Sequence, residues 1–253
     1  MISNIKEILF IDIETVSAKA QFHEMDERLQ KQWIKKANFF KQEEKEPDEL
    51  YQDKAAIYSE FGQIVCIGMG FLREKDDELV LRLGELSGKD EKDLLEKFAE
   101  LLDEQFPKNQ PRLCAHNGYE FDFPYICRRM RVHGIPLPSS LALLINAKPW
   151  TNPHIDTMEM WKFGDRKHFT SLDLMATIFN VETSKSDIDG SMVSHVYHVD
   201  DDLPRITRYC IRDVEVLTRV YLKLAGLDLE ISSVEYPDSY FEEEDQNPPS
   251  DLA

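Results

Sequence analysis

A short apolar run ending in two alternating carboxylates constrains this chain more than any other feature. Ile8-Leu9-Phe10-Ile11 leads directly into Asp12-Ile13-Glu14-Thr15. The run fits a strand buried on both faces. Strand side chains alternate with a period of two, so Asp12 and Glu14 emerge on one side of its end. Two further acids occur in similar settings. Asp122 closes Asn117-Gly118-Tyr119-Glu120-Phe121-Asp122, which follows another apolar segment, and Asp213 closes Tyr209-Cys210-Ile211-Arg212-Asp213 in a late helical pattern. Four carboxylates meeting at one point repel strongly unless cations lie between them. Hard oxygen ligands with open positions suit Mg²⁺ or Mn²⁺. Two such ions a few Å apart are a common device for displacing a phosphodiester oxygen in line.

The remaining pattern supplies a sheet and its helices. Gln63–Phe71 and Glu78–Leu86 read as strands, and the short charged connection between them predicts an antiparallel hairpin. Asp90–Phe106 places Leu94, Leu95, Phe98, Leu101 and Leu102 on one helical face, with Pro107 and Pro111 beyond it. Arg112–Ala115 is a short strand, Asp122–His133 a helix ending at Gly134, and His154–Asp156 a fifth strand. Ser171–Phe179 and Leu203–Ala225 are helices. The expected class is α/β, a mixed five-stranded sheet flanked by helices. Residues 1–232 would form the domain. Within it, residues 17–60 read as a charged, helical insertion. Its Phe22, Trp33, Phe39 and Phe40 are expected to cover the domain, with a flap near the cleft as the alternative. Residues 233–253 read as an acidic, disordered tail. It is a candidate site for a protein partner, and a solvating role is the simpler reading.

With 253 residues, 42% of them hydrophobic, the chain can bury a substantial core. It has no apolar stretch long enough to span a membrane and no secretory pattern at its N-terminus. Cys66, Cys114, Cys127 and Cys210 show no zinc spacing and are expected to be buried thiols in a reducing cytoplasm. The net charge of −18 argues against nucleic acid at first sight. Its distribution weakens that objection. The last 21 residues hold seven acids and no bases, and residues 123–170 carry a local +4. Weak, salt-sensitive binding of a short single strand is expected.

The three motifs resemble those of the DEDD 3′–5′ exonucleases, and within them the proofreading domains of family B DNA polymerases. Asp12-Ile13-Glu14-Thr15 is similar to their Asp-x-Glu-Thr. Asn117 to Asp122, with Phe123-Pro124-Tyr125-Ile126, is similar to their Asn-x-x-x-Phe-Asp and its Pro-Tyr-Ile extension. Tyr209 to Asp213 matches Tyr-x-x-x-Asp, the tyrosine subtype; the histidine subtype needs His where this chain has Arg208. The resemblance runs from about residue 5 to about residue 225. It implies a ribonuclease-H-like fold and a 3′–5′ exonuclease releasing nucleoside 5′-monophosphates from single-stranded ends. DNA is the expected substrate. The same site acting on RNA, and a non-catalytic binding module retaining the fold, are the alternatives. With no polymerase segment after the third motif, a free-standing enzyme is expected.

The resemblance further implies two divalent cations. Asp12 would bridge them, Glu14 and Asp213 would complete the first site, and Asp122 would help to hold the second. Tyr209 would orient the attacking water. Thr15, Asn117 and Phe121 would hold the strand, with Phe121 stacking or wedging between bases. Lys185, followed by Ile188, is similar to the family's Lys-x-x-hydrophobic motif, where the Lys meets the scissile phosphate; an ordinary surface Lys is the competing reading. Asp156 is an alternative to Asp122 in the cluster, or a carboxylate behind it. His195 and His198 lack a third ligand and are expected on the surface. His116 is expected to cap the strand end.

Overall fold

The computed structural model describes residues 5–40, 45–104, 111–148, 151–165, 169–183 and 188–241. Six strands form one sheet: β1 (Ile8–Ser17), β2 (Gly62–Lys75), β3 (Glu78–Ser87), β4 (Arg112–Ala115), β5 (Ile155–Asp156) and β6 (Ser233–Glu235). The principal helices are α1 (Glu27–Ala37), α2 (Pro47–Lys54), α3 (Glu91–Glu104), α4 (Asp122–Val132), α5 (Thr157–Lys162), α6 (Leu172–Ile178) and α7 (Leu203–Leu224). Spatial order across the sheet is β5-β4-β1-β2-β3-β6. β2 runs antiparallel to both β1 and β3, and the β1–β4, β4–β5 and β3–β6 pairs are parallel.

The alternation of β1 sorts the two layers. Leu9, Ile11 and Ile13 pack with Leu94, Leu95 and Phe98 of α3 and with Phe123, Ile126 and Met130 of α4. Ile8 and Phe10 pack on the opposite face with Ile211, Val214, Leu217 and Tyr221 of α7. The Phe10 and Tyr221 rings meet edge to face with centroids 5.3 Å apart. Asp12 and Glu14 share the parity of Ile8 and Phe10, so the alternation sends them toward α7. The β2–β3 hairpin is longer than its apolar runs. It closes on Asp76-Asp77, both with positive φ (54° and 65°), a two-residue turn whose twist suits an antiparallel pair.

Six strands pair where five are expected. Ser233–Glu235, assigned from the sequence to the acidic tail, adds to β3 in parallel, with Val80 opposite Ser233 and Arg82 opposite Glu235. A three-residue strand is too short to display alternation. Glu235 looks like one more tail acid until Arg73 is seen donating to both its oxygens at 2.5 Å. In the 17–60 segment, α1 and α2 share a small core of their own. Trp33 is fully buried there and donates to the Pro47 carbonyl at 2.6 Å. Tyr51 and Phe61 stand edge-on to its ring. Phe22 and Phe40 are partly buried against this core, whereas Phe39 is 78% exposed. Among the described residues no helix is long and apolar enough to cross a membrane.

Candidate active site

Three elements bring the predicted acids together. β1 contributes Asp12 and Glu14, the first opposite Gly68 and the second opposite Cys66 of β2. α7 crosses this face of the sheet at very short range. A Cβ on Gly68 would lie 2.9 Å from Cys210 Sγ and 3.0 Å from its carbonyl, and a Cβ on Gly70 would lie 2.8 Å from Val214. These two glycines let the helix down onto the strand. Tyr209 and Asp213, four residues apart on α7, share the face turned to the acids. The helix begins at Asp202, which accepts from the Arg205 N–H at 3.0 Å. α4 contributes Asp122 from its first turn. The backbone of Ile13, between the two β1 acids, faces that carboxylate and moderates its rise.

Crowding and burial act on all four acids. Burial, then the charges of Glu14, Asp213 and Asp122, hold the Asp12 carboxyl well above the usual carboxylate range. Glu14 is displaced in the same direction, by burial and then chiefly by Asp213. Burial pushes Asp122 up to about 7 and Asp213 up to about 6. The Tyr209 hydroxyl donates to Asp213 and moderates its rise, while Asp173 at the start of α6 adds a further negative charge. Tyr209 itself is pushed far upward by burial and then by Asp213, Glu14 and Asp12. It is a phenol and a donor, not a base.

The donor set fits hard divalent ions. It consists of carboxylate oxygens whose mutual repulsion a cation relieves. Asp122 Oδ1 is buried and has no hydrogen-bond partner among the described residues. Oxygens of Asp12 and Glu14 and the sulfur of Cys210 all lie within 4.8 Å of one another. A soft sulfur is a poor match for Mg²⁺ or Mn²⁺, and burial pushes the Cys210 thiol up. That thiol accepts from the Gly68 N–H at 3.2 Å and donates toward the Asp12 carbonyl at 3.4 Å and Oδ2 at 3.6 Å. Cys210 therefore ties α7 to both strands, a contact with no signal in the motif pattern.

Asp156 is fully engaged elsewhere. Its Oδ1 accepts from the backbone N–H groups of Asn117, Met158 and Glu159, and its Oδ2 from that of Tyr119. It caps α5 and pins the turn that precedes Asp122, with Asn117 held at φ +61°. Asn117 Oδ1 is buried without a partner among the described residues. His116 bridges the same region, with Nδ1 2.9 Å from Thr157 Oγ1 and Nε2 2.8 Å from the Thr170 carbonyl. Thr15 is buried, and its hydroxyl faces the Tyr125 phenol. Phe121 is partly buried, its ring centroid 5.4 Å from that of Tyr125. His198 Nε2 lies 2.9 Å from the Ser17 carbonyl, and His195 faces Asp200 at 3.7 Å. Lys185 lies outside the described residues.

A sheet in this strand order, covered by helices on both faces and with acids gathered beside its central strand, defines a ribonuclease-H-like domain. A family model described as "predicted 3′-5′ exonuclease related to the exonuclease domain of PolB" matches residues 54–245, most of the chain, and the chain belongs to that family. The match begins after the β1 acids and includes Asp122, Tyr209 and Asp213. The fold is similar to that of the family B DNA polymerase from the hyperthermophilic archaeon Pyrobaculum calidifontis. The TM-score is 0.53 over 86% of this chain at 15% identity, and the chain spans 24% of that polymerase's length. Comparison with curated proteins finds no match.

Proposed function

We propose that this domain is a metal-dependent 3′–5′ exonuclease that shortens single-stranded DNA to nucleoside 5′-monophosphates. The observation that carries the reading is the convergence of Asp12, Glu14, Asp122 and Asp213 from β1, α4 and α7, with Tyr209 donating into the cluster. The four carboxylates would hold two divalent ions, Mg²⁺ or Mn²⁺. Such ions, when bound, make water nucleophilic near neutral pH and stabilise charge on the attacking and departing oxygens. The chain's own residues position the reactants. Tyr209 keeps its proton and orients water through its hydroxyl. Asn117, whose side-chain oxygen has no partner among the described residues, accepts from a sugar hydroxyl or other donor on the terminal nucleotide. Thr15 and the half-buried Phe121 line the approach to the terminal nucleotide. In hydrolysis the water oxygen joins phosphorus, the bond to the 3′ oxygen breaks, and that oxygen leaves with the electron pair and takes a proton.

The test is a 5′-labelled oligonucleotide assay resolved by nucleotide, on single-stranded DNA, blunt duplex and RNA. With Mg²⁺ or Mn²⁺, single-stranded DNA is expected to shorten stepwise from its 3′ end, faster than duplex, and more slowly as salt is added. Chelator is expected to abolish cleavage. Asp12→Ala is expected to cost at least ~10³-fold, about 4 kcal/mol of barrier. Full activity in excess chelator, or an Asp12→Ala rate within a few-fold of wild type, refutes the site. Faster digestion of RNA refutes the substrate and leaves the chemistry.

A further inference from the structure

A buried ion pair lies behind the acids, and neither the motifs nor the reaction accounts for it. Glu91, at the start of α3, and Arg129, on α4, are 6% and 9% exposed. Arg129 Nε donates to both Glu91 oxygens at 2.9 and 3.1 Å, and Nη2 donates to Oε2 at 2.5 Å. The Arg129 Nη1 donates to the Ser59 carbonyl at 2.9 Å, and His133 Nε2 lies 2.6 Å from Glu91 Oε2. Buried pairs of this kind are often no more stabilising than the apolar residues that would replace them. Their geometry is the better guide to their use.

That geometry points at β1. Glu14 is paired with Cys66 and Thr15 with Ile64, so the register slips by one residue between them and Val65 is the extra residue of a bulge. Bulges re-aim the side chains beside them. Glu91 Oε1 accepts the Ile64 N–H at 2.7 Å, at the slip itself. Arg129 stands two helical turns beyond Asp122, on one face of α4. Between them Tyr125 donates to the Ala56 carbonyl at 2.8 Å and faces Thr15. One helix thus carries Asp122 at its start and grips the bulge after Glu14 further along.

We propose that Glu91, held by Arg129 and His133, is a positioning residue for the carboxylate cluster. It fixes the bulge that aims Glu14 and Thr15 and, through α4, sets their separation from Asp122. The inference rests on the metal-site reading of those acids. The experiment compares wild type with Glu91→Ala, Glu91→Gln and Leu102→Ala, the last a core truncation elsewhere on α3. Two properties are read: amide hydrogen exchange of residues 13–17 without metal, and Mn²⁺ affinity by calorimetry. Glu91→Ala is expected to speed exchange at residues 13–17 and weaken Mn²⁺ binding, each by ~10-fold or more, the scale seen when a partner behind a ligand is removed. Glu91→Gln, which keeps an acceptor for Ile64, is expected to fall between. Leu102→Ala is expected to lower the unfolding midpoint and leave both readouts unchanged. If the Glu91 variants only lose stability, as Leu102→Ala does, the proposal is overturned. Where Glu91→Ala does not fold, Glu91→Gln decides. A wild type that binds no Mn²⁺ refutes the proposed function, and the exchange comparison still decides the role of Glu91.

Discussion

Tyr209 illustrates what one side chain can and cannot do in this site. Its phenol is half-buried beside three carboxylates, so releasing its proton there is strongly disfavoured, and its hydroxyl already donates to Asp213. A group that holds its proton so firmly acts by orientation. Tyr209→Phe keeps the ring and removes the donor. The expected result is a ~10- to 10³-fold fall in single-turnover cleavage, the scale of a positioning or acid–base contact. Binding of the same single-stranded oligonucleotide is expected to stay nearly unchanged. Equal losses in both would make Tyr209 a ligand of the strand. At this scale the acids and the tyrosine were legible because each stands at a fixed spacing within a motif. Asp156 was legible only as a carboxylate in or behind the cluster, and Cys210 and Glu91 not at all, because these residues act on backbone N–H groups or through a thiol. Such partners can be of almost any residue type, so the sequence around them carries no signature.

Among the elements, the union of α7 with β2 decides whether Asp213 and Tyr209 reach Asp12 and Glu14. The 22-residue α7 could be read from its period, and so could the i, i+4 relation of Tyr209 and Asp213. Its seat on the sheet could not. In sequence, Gly68 and Gly70 are merely weak strand residues, and their purpose appears only when α7 is placed over them. β6 escaped notice for a related reason, since its place is fixed by pairing with β3 and by Arg73. Gly68→Ala tests the seat. The added methyl meets a backbone carbonyl and a tightly packed Cys210, so α7 must shift. Overpacking of this kind costs about 1–3 kcal/mol, and a displacement near 1 Å at reacting groups can cost ~10²-fold in rate. Gly84→Ala is the control, because a Cβ there meets nothing within 4 Å. Denaturant unfolding and kcat/KM are expected to fall for Gly68→Ala and to hold for Gly84→Ala. Matching behaviour of the two would mean that α7 does not depend on this close approach.

For the whole molecule, the acids concentrated in the site set stability against function. The chain carries a net charge of −18, and its domain keeps several carboxylates buried together. Folding raises the Asp122 carboxyl from the ordinary value of 3.8 to about 7. The folded state therefore holds a proton that the unfolded chain releases between these two values. The contribution of Asp122 is neutral below the unfolded value, grows more unfavourable as pH rises from there to the folded one, and levels off above it. A bound cation removes the penalty by pairing with the charge, and it adds binding energy that only the folded state receives. Asp122→Asn isolates this effect, since the side chain keeps its shape and no charge is buried. In chelator at pH 8, Asp122→Asn is expected to be more stable than wild type by about 1–4 kcal/mol, bounded by the size of the shift. The advantage is expected to shrink as pH falls toward 4. Added Mn²⁺ is expected to stabilise wild type at pH 8 and to stabilise the variant less, through the site that Asp12, Glu14 and Asp213 still form. Denaturant unfolding of both proteins across pH 4–8, with and without Mn²⁺, measures all three. A wild type more stable than Asp122→Asn at pH 8 in chelator would mean that the fold relieves this charge without a cation, and that Asp122 has been assigned to the metal site wrongly.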